Sequence, residues 1–128
     1  MAMDGIKGAA DDIGKLDGEV VWSPALRIGK LFISVAGTLA DNSGADLASA
    51  GFTMMASDYY YVDPPALAGF VRTLLAGSVA ANPMYRELAR GFLVTCLVLL
   101  DRAGVVLEPE GEAQRELFDA RAAHAALM

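Results

Sequence analysis

Few side chains in this sequence could do chemistry, and the densest group of them is Asp58-Tyr59-Tyr60-Tyr61, inside SDYYYVDPP at residues 57–65. A carboxylate beside phenols suits two tasks. With an apolar wall behind it, Asp58 could have its acidity shifted far enough for proton transfer. Tyrosine also supplies rigid area with one hydroxyl for a hydrogen bond, which is why it recurs at binding hot spots. In a strand, side chains alternate between faces, so Tyr59 and Tyr61 would share one face and Tyr60 the other. The candidate contact residues are therefore Tyr59, Tyr61 and Asp58, together with Trp22. The same stretch also reads as a packed strand that leads into a helix capped by Asp63.

The remaining catalytic inventory is thin. The one histidine, His124, sits four residues from the last residue of the sequence, where an exposed, solvated ring is expected. A Ser/His/Asp set cannot be assembled around it, so no catalytic residue is assigned. IGKLDG and RIGKLF fail the phosphate-loop pattern, and G-x-G-x-x-G is absent. DNSGAD, residues 41–46, resembles part of a calcium loop but lacks the closing glutamate, and it reads as a helix-ending loop. The single cysteine, Cys96, lies inside the apolar run FLVTCLVLL and is expected to be a buried reduced thiol. It allows no intrachain disulfide and no cysteine-based zinc cluster. No metal site and no cofactor are expected.

Charge narrows the partners. The chain carries a net charge of −6 over 128 residues, and the excess lies at its ends. Residues 1–23 hold five acids and two bases, residues 24–104 hold six of each, and residues 105–128 hold five acids and two bases. Acidic ends argue against nucleic acid, whose phosphates are bound by lysine and arginine. They suit a basic protein partner, although mild acidity also serves solubility. The longest apolar run, Phe92 to Leu100, is about half of a membrane span. The first residues show no signal-peptide pattern. A cytoplasmic protein with no membrane association is expected, and the heavy use of alanine and glycine suggests a bacterial source.

Local signals place the elements that would carry these residues. Ser23-Pro24, Asp63-Pro64 and Asn82-Pro83 each put a capping side chain before a proline, as helix starts do. Helices are predicted over 24–41, 64–81, 83–103 and, more weakly amphipathic, 110–126. The third is apolar all round from Phe92 to Leu100 and should be central, with Gly104 as its C-terminal cap. EVVW (19–22) reads as a strand, and residues 52–62 as a long strand or hairpin. The fold class is α+β: one mostly helical domain over 18–128, four helices with a small sheet of two or three short strands, preceded by a flexible acidic segment at 1–17.

A shift of 40 residues aligns Pro24, Gly29, Ala36, Gly37, Ala40 and Asn42 with Pro64, Gly69, Ala76, Gly77, Ala80 and Asn82. The segments 20–42 and 60–82 would then be a strand-helix repeat, by duplication or by convergence on one solution. The small residues on each helix allow close backbone approach, either inside the monomer, at a homodimer seam or around a shallow ligand groove.

Three motifs, VVWSP…LF, VDP.AL..FV..L and L..GFL.T.LVL..RAG, resemble those of a family of short uncharacterised actinobacterial proteins, a domain of unknown function. The likeness spans about Glu19 to Gly104 and rests on Trp22, Ser23, Pro24, Leu31, Phe32, Asp63, Pro64, Gly91, Phe92 and Leu93. Residues 41–56 lack the Pro/Gly-rich loop of that family. The resemblance implies no catalytic residue and no activity.

Together these features point to a non-enzymatic binding protein that regulates or neutralises a protein partner, in the manner of an immunity protein or antitoxin. The alternative is a small cofactor-free enzyme of secondary metabolism, a cyclase or isomerase using Asp58 and the tyrosines in an apolar pocket. A small sheet leaves open edges that proteins tend to pair, so a homodimer is expected.

Overall fold

A computed structural model of the chain describes residues 5–8, 20–56 and 59–128. Its strands are β1 (Gly5–Gly8), β2 (Val20–Trp22), β3 (Phe52–Ala56) and β4 (Tyr59–Val62), and its helices are α1 (Leu26–Ser43), α2 (Pro64–Ala76), α3 (Ser78–Ala81), α4 (Pro83–Arg102), α5 (Glu112–Asp119) and α6 (Arg121–Ala125). It is a mostly helical α+β domain. The strands form one sheet in the order β2-β1-β4-β3. β1 runs antiparallel to β2 and parallel to β4, and β3 runs antiparallel to β4. The expected lead-in at 1–17 thus contributes Gly5–Gly8 to the sheet; the other residues of that segment lie outside the described residues. A strand reading Gly-Ile-Lys-Gly has no local pattern to reveal it, and its order comes from the two neighbours it pairs with.

The helix starts differ in whether the capping side chain is engaged. Asn82 begins α4 as expected, its Oδ1 accepting from the N–H groups of Met84 (2.9 Å) and Tyr85 (3.0 Å). Asp63 occupies the N-cap of α2, but its carboxylate makes no cap bond. An N-cap side chain accepts from the second or third helical N–H; Pro65 removes the second, and the third, that of Ala66, is not taken. Ser23 is not the cap of α1: the N-cap falls at Ala25, where the backbone is still extended (φ −58°, ψ 153°), so the helix starts at Leu26. Pro24 biases Ser23 towards extended backbone and so delays the first turn.

The ends follow local rules more closely. At Gly44 and Gly104 the backbone turns left-handed (φ 68° and 81°). There Ala45 N–H donates to the Ala40 carbonyl and Val105 N–H to the Leu100 carbonyl, the long bond of a Schellman motif. DNSGAD therefore ends α1, as expected, and the Asp46 carboxylate then caps the 3-10 turn Leu47–Ala50. The helix expected over 64–81 breaks at Gly77 into α2 and α3, and the one expected over 110–126 breaks at Ala120 into α5 and α6.

α4 is the core. Every residue from Phe92 to Leu100 is buried, Cys96 completely. Leu67, Val71 and Leu74 of α2, and Leu117 and Phe118 of α5, join the same cluster. Burial pushes the Cys96 thiol well above its ordinary pKa, so it stays protonated. Pro64–Ala81 is apolar and long enough to match a membrane span, but it is interrupted at Gly77 and lays Leu67, Phe70, Val71, Leu74, Leu75 and Val79 in the core. The two small-residue stripes differ in role. Gly29, Ala36 and Ala40 of α1 are buried in close helix packing, whereas Gly69, Ala76, Gly77 and Ala80 are exposed.

Candidate functional site

Of the contact residues singled out in the sequence, the structure describes Trp22 and the side chain of Tyr61. Asp58 and the side chain of Tyr59 lie outside the described residues. Tyr61 is half-buried and pairs across the sheet with exposed Thr53. Its neighbour Val62 is buried opposite Phe52. Tyr60 is half-buried as well, so β4 does not divide cleanly into a wet and a dry face. Trp22 is 8% exposed and belongs to the core, its ring standing edge-on to Phe32 at 5.4 Å.

Trp22 does, however, reach a second location. Phe32 stacks on Phe92 at 4.9 Å and meets Phe52 edge-on at 5.5 Å, so α1 and α4 share an aromatic floor. Above that floor lies a cavity of about 310 Å³, bordered by Trp22, Ile28, Leu31, Val35, Leu88 and Thr95 among others. A second of about 460 Å³ continues past Leu39 and Asn42 to Tyr85. Leu31, Val35 and Leu88 border both, so the two form one groove along α1 and α4. Its walls carry large apolar side chains that remain exposed among the described residues. Ile28 is 49% exposed, Leu31 60%, Leu88 77% and, at one end, Leu127 82%. Contiguous apolar surface of this kind marks contact sites and binding grooves.

The spacing behind this groove is visible only in hindsight. Ile28, Leu31, Val35 and Leu39 recur at helical spacing, as one face of a helix does. In the fold the buried stripe of α1 is instead Gly29, Phe32, Ala36 and Ala40. Small residues let α1 sit so close to its neighbours that the larger side chains beside them are displaced to the rim.

Each end of the groove holds a polar pair. Near Tyr85, the Ser43 hydroxyl donates to the Leu39 carbonyl at 2.7 Å and lies 3.3 Å from the Tyr85 phenol. At the other end, Thr95 Oγ1 lies 2.7 Å from both the Gly91 carbonyl and His124 Nε2. A hydroxyl has one proton. The Gly91 carbonyl can only accept, so the Thr95 proton goes there and Nε2–H donates to Thr95; the tautomer is assigned from this network. Burial, and then the Arg90 charge, lower the pKa of the ring below the ordinary histidine value. Arg90 is itself paired with Glu116. His124 is therefore not the solvated terminal histidine expected from sequence. It is a half-buried, neutral ring that fastens α6 to α4. Because Nε2 gives its proton to the hydroxyl rather than taking one, the pair is built as a fastener and not as an activated nucleophile. Its one legible trace is Thr95, the polar interruption of an apolar run; the partner lies 29 residues away.

A charged groove elsewhere is internally satisfied. Arg121 makes a forked ion pair with Asp101 at 3.0 Å and lies over the Phe118 ring, while Arg102 donates to the Val21 carbonyl. Among the described residues no group of three or more His, Cys, Asp or Glu side chains gathers as metal ligands would.

Residues 12–128 match DUF6086, a family of unknown function, and the chain belongs to that family. No curated protein and no solved structure matches it.

Proposed function

We propose that this member of the family is a non-enzymatic binding protein of the bacterial cytoplasm that regulates or neutralises a protein partner, as an immunity protein or antitoxin does. The observation that carries the reading is the α1–α4 groove, where exposed leucine and isoleucine side chains stand over an aromatic floor. The partner lays an apolar segment between the two helices. Basic groups of the partner suit the exposed acids of the α5 region, Glu108, Glu110, Glu112 and Asp119. Steering by such charges raises association rates more than affinity. In this reading the helical groove is the contact surface, with Trp22 supporting its floor.

The test is growth rescue. A neighbouring gene whose product alone arrests growth is expressed with the wild-type chain or with Leu31→Asp or Leu88→Asp. Both positions are exposed, so the variants should fold, which circular dichroism checks. Rescue by the wild type and its loss in both variants is expected. Equal rescue by folded variants would remove the groove from the contact.

A further inference from the structure

We infer that α6 is a strap over one end of the α1–α4 groove, hinged at Ala120, and that protonation of His124 releases it and lengthens the groove along α4. The movement concerns α6 alone; its effect on a partner rests on the reading of the groove as a contact surface.

Little apolar burial holds α6 in place. It consists of Arg121, His124 and three alanines, and none of these residues is buried. Ala120 alone joins it to α5, ending one helix and beginning the other. Its small side chains leave space against α4. A cavity of about 460 Å³ separates Ala122 and Ala125 from Val98 and Asp101, and one of about 260 Å³ lies between Ala123 and Val94. A segment with so few buried apolar contacts opens locally at low cost. Its fastenings are mainly polar: His124 to Thr95 at 2.7 Å and Arg121 to Asp101 at 3.0 Å, with half-buried Met128 beyond them. The segment also covers something. His124, Leu127 and Met128 border the same cavity as Trp22, Phe92 and Thr95. His124, Leu127 and Gly91 border the 260 Å³ cavity as well, so lifting α6 joins the two along α4.

Charge works against the docked ring. Nε2–H already donates to Thr95, so an added proton goes to Nδ1 and makes a half-buried cation. From α4, Arg90 acts on it as a like charge. The α5 carboxylate Glu116 is engaged by Arg90, and within α6 Arg121 is paired with Asp101 of α4. Helix α1 presents only Ile28, Leu31, Phe32 and Val35 to the cavity that the ring borders. Burial first, and then Arg90, lower the pKa of the docked ring, whereas a released ring returns to the ordinary value near 6.5. Protonation therefore favours release. The open fraction rises as pH falls below about 6.5, by at most about tenfold per pH unit for one proton. Histidine is the side chain that ordinarily titrates in this range, and His124 is the one histidine of the chain, so a single substitution removes the trigger.

The experiment is hydrogen exchange of the full chain, read by mass spectrometry at about pH 7.5 and about pH 5.5, on either side of the ordinary histidine pKa. Each rate is divided by its intrinsic rate at that pH, and the wild type is compared with His124→Gln and Thr95→Val. Wild-type protection of residues 121–128 should fall on acidification by up to about tenfold, while α4 and α5 keep theirs. His124→Gln should lose this pH response. Thr95→Val removes the hydroxyl that His124 holds, so its α6 should be less protected already at the higher pH. A wild-type segment indifferent to pH overturns the inference. So does a loss shared by α4, a response that persists in His124→Gln, or a Thr95→Val segment as protected as the wild type. Growth rescue separates the strap from the partner reading. If α6 opens in acid but rescue does not need Leu31 or Leu88, the partner reading falls and the strap stands. If rescue needs them and α6 ignores pH, only the strap is lost.

Discussion

Asn82→Ala and Asp63→Ala look like the same experiment in the sequence, since each removes a polar residue before a proline at a helix start. The structure makes them different. Asn82 Oδ1 accepts from two backbone N–H groups, Met84 at 2.9 Å and Tyr85 at 3.0 Å, at the head of the helix that forms the core. Alanine leaves both donors to water at an exposed position, and the loss should be about 1 kcal/mol. At roughly 2.1 cal/mol/K per residue, a chain of 128 residues has an unfolding entropy of about 0.27 kcal/mol/K, so Tm should fall by about 4 °C. Asp63 accepts no cap bond: Pro65 removes one of the two usual donors, and the carboxylate does not take the other, the Ala66 N–H. What ties that corner is backbone: Asp63 N–H donates to the Gly51 carbonyl at 2.8 Å, and Leu67 N–H to the Asp63 carbonyl at 2.9 Å, and alanine keeps both. Its Tm should move by about 1 °C or less, leaving only the loss of a negative charge near the positive end of α2. The assay is thermal unfolding of both variants by circular dichroism, in low and in high salt. Equal losses would refute the reasoning, and a larger loss in Asp63→Ala would reverse it.

Three further outcomes test other parts of the fold. Gly51 has φ +89°, and a Cβ there would lie 2.7 Å from the Asp63 carbonyl oxygen, so Gly51→Ala should cost about 2–4 kcal/mol by urea denaturation, against about 1 kcal/mol for Gly44→Ala, where the space is open. Cys96 should react with a thiol reagent only on unfolding; rapid labelling of native protein would show that α4 is not the sealed core. Because the folded pKa of His124 is lowered, the unfolded chain binds more protons between that value and the ordinary one near 6.5. Stability should therefore be full above about pH 6.5 and decline as pH falls through that window. The urea midpoint of the wild type should drop on acidification by more than that of His124→Gln; parallel slopes would exclude the docked neutral ring.

What could be read without the fold was whatever is decided within a few residues. Asn82-Pro83 had to begin a helix because proline supplies its first φ and asparagine its missing acceptor. Gly104 had to end one because only glycine turns left-handed there without strain. The run from Phe92 to Leu100, apolar except for Thr95, had to be surrounded by protein. Even locally, the cap expected at Asp63 is not made: its carboxylate takes no helical N–H, and Pro65 removes one of the two it could have held. The groove was a different kind of quantity. Leu88 and Leu93 are the same residue on the same helix, yet Leu88 is largely exposed and Leu93 wholly buried. That contrast depends on α1, which packs its small side chains inwards and leaves Leu31 and Val35 along the rim. Thr95 finds its partner 29 residues on, and β1 has order only between β2 and β4. Burial, partnership and exposure are set by what the other elements place nearby, so they exist only once the chain has closed on itself.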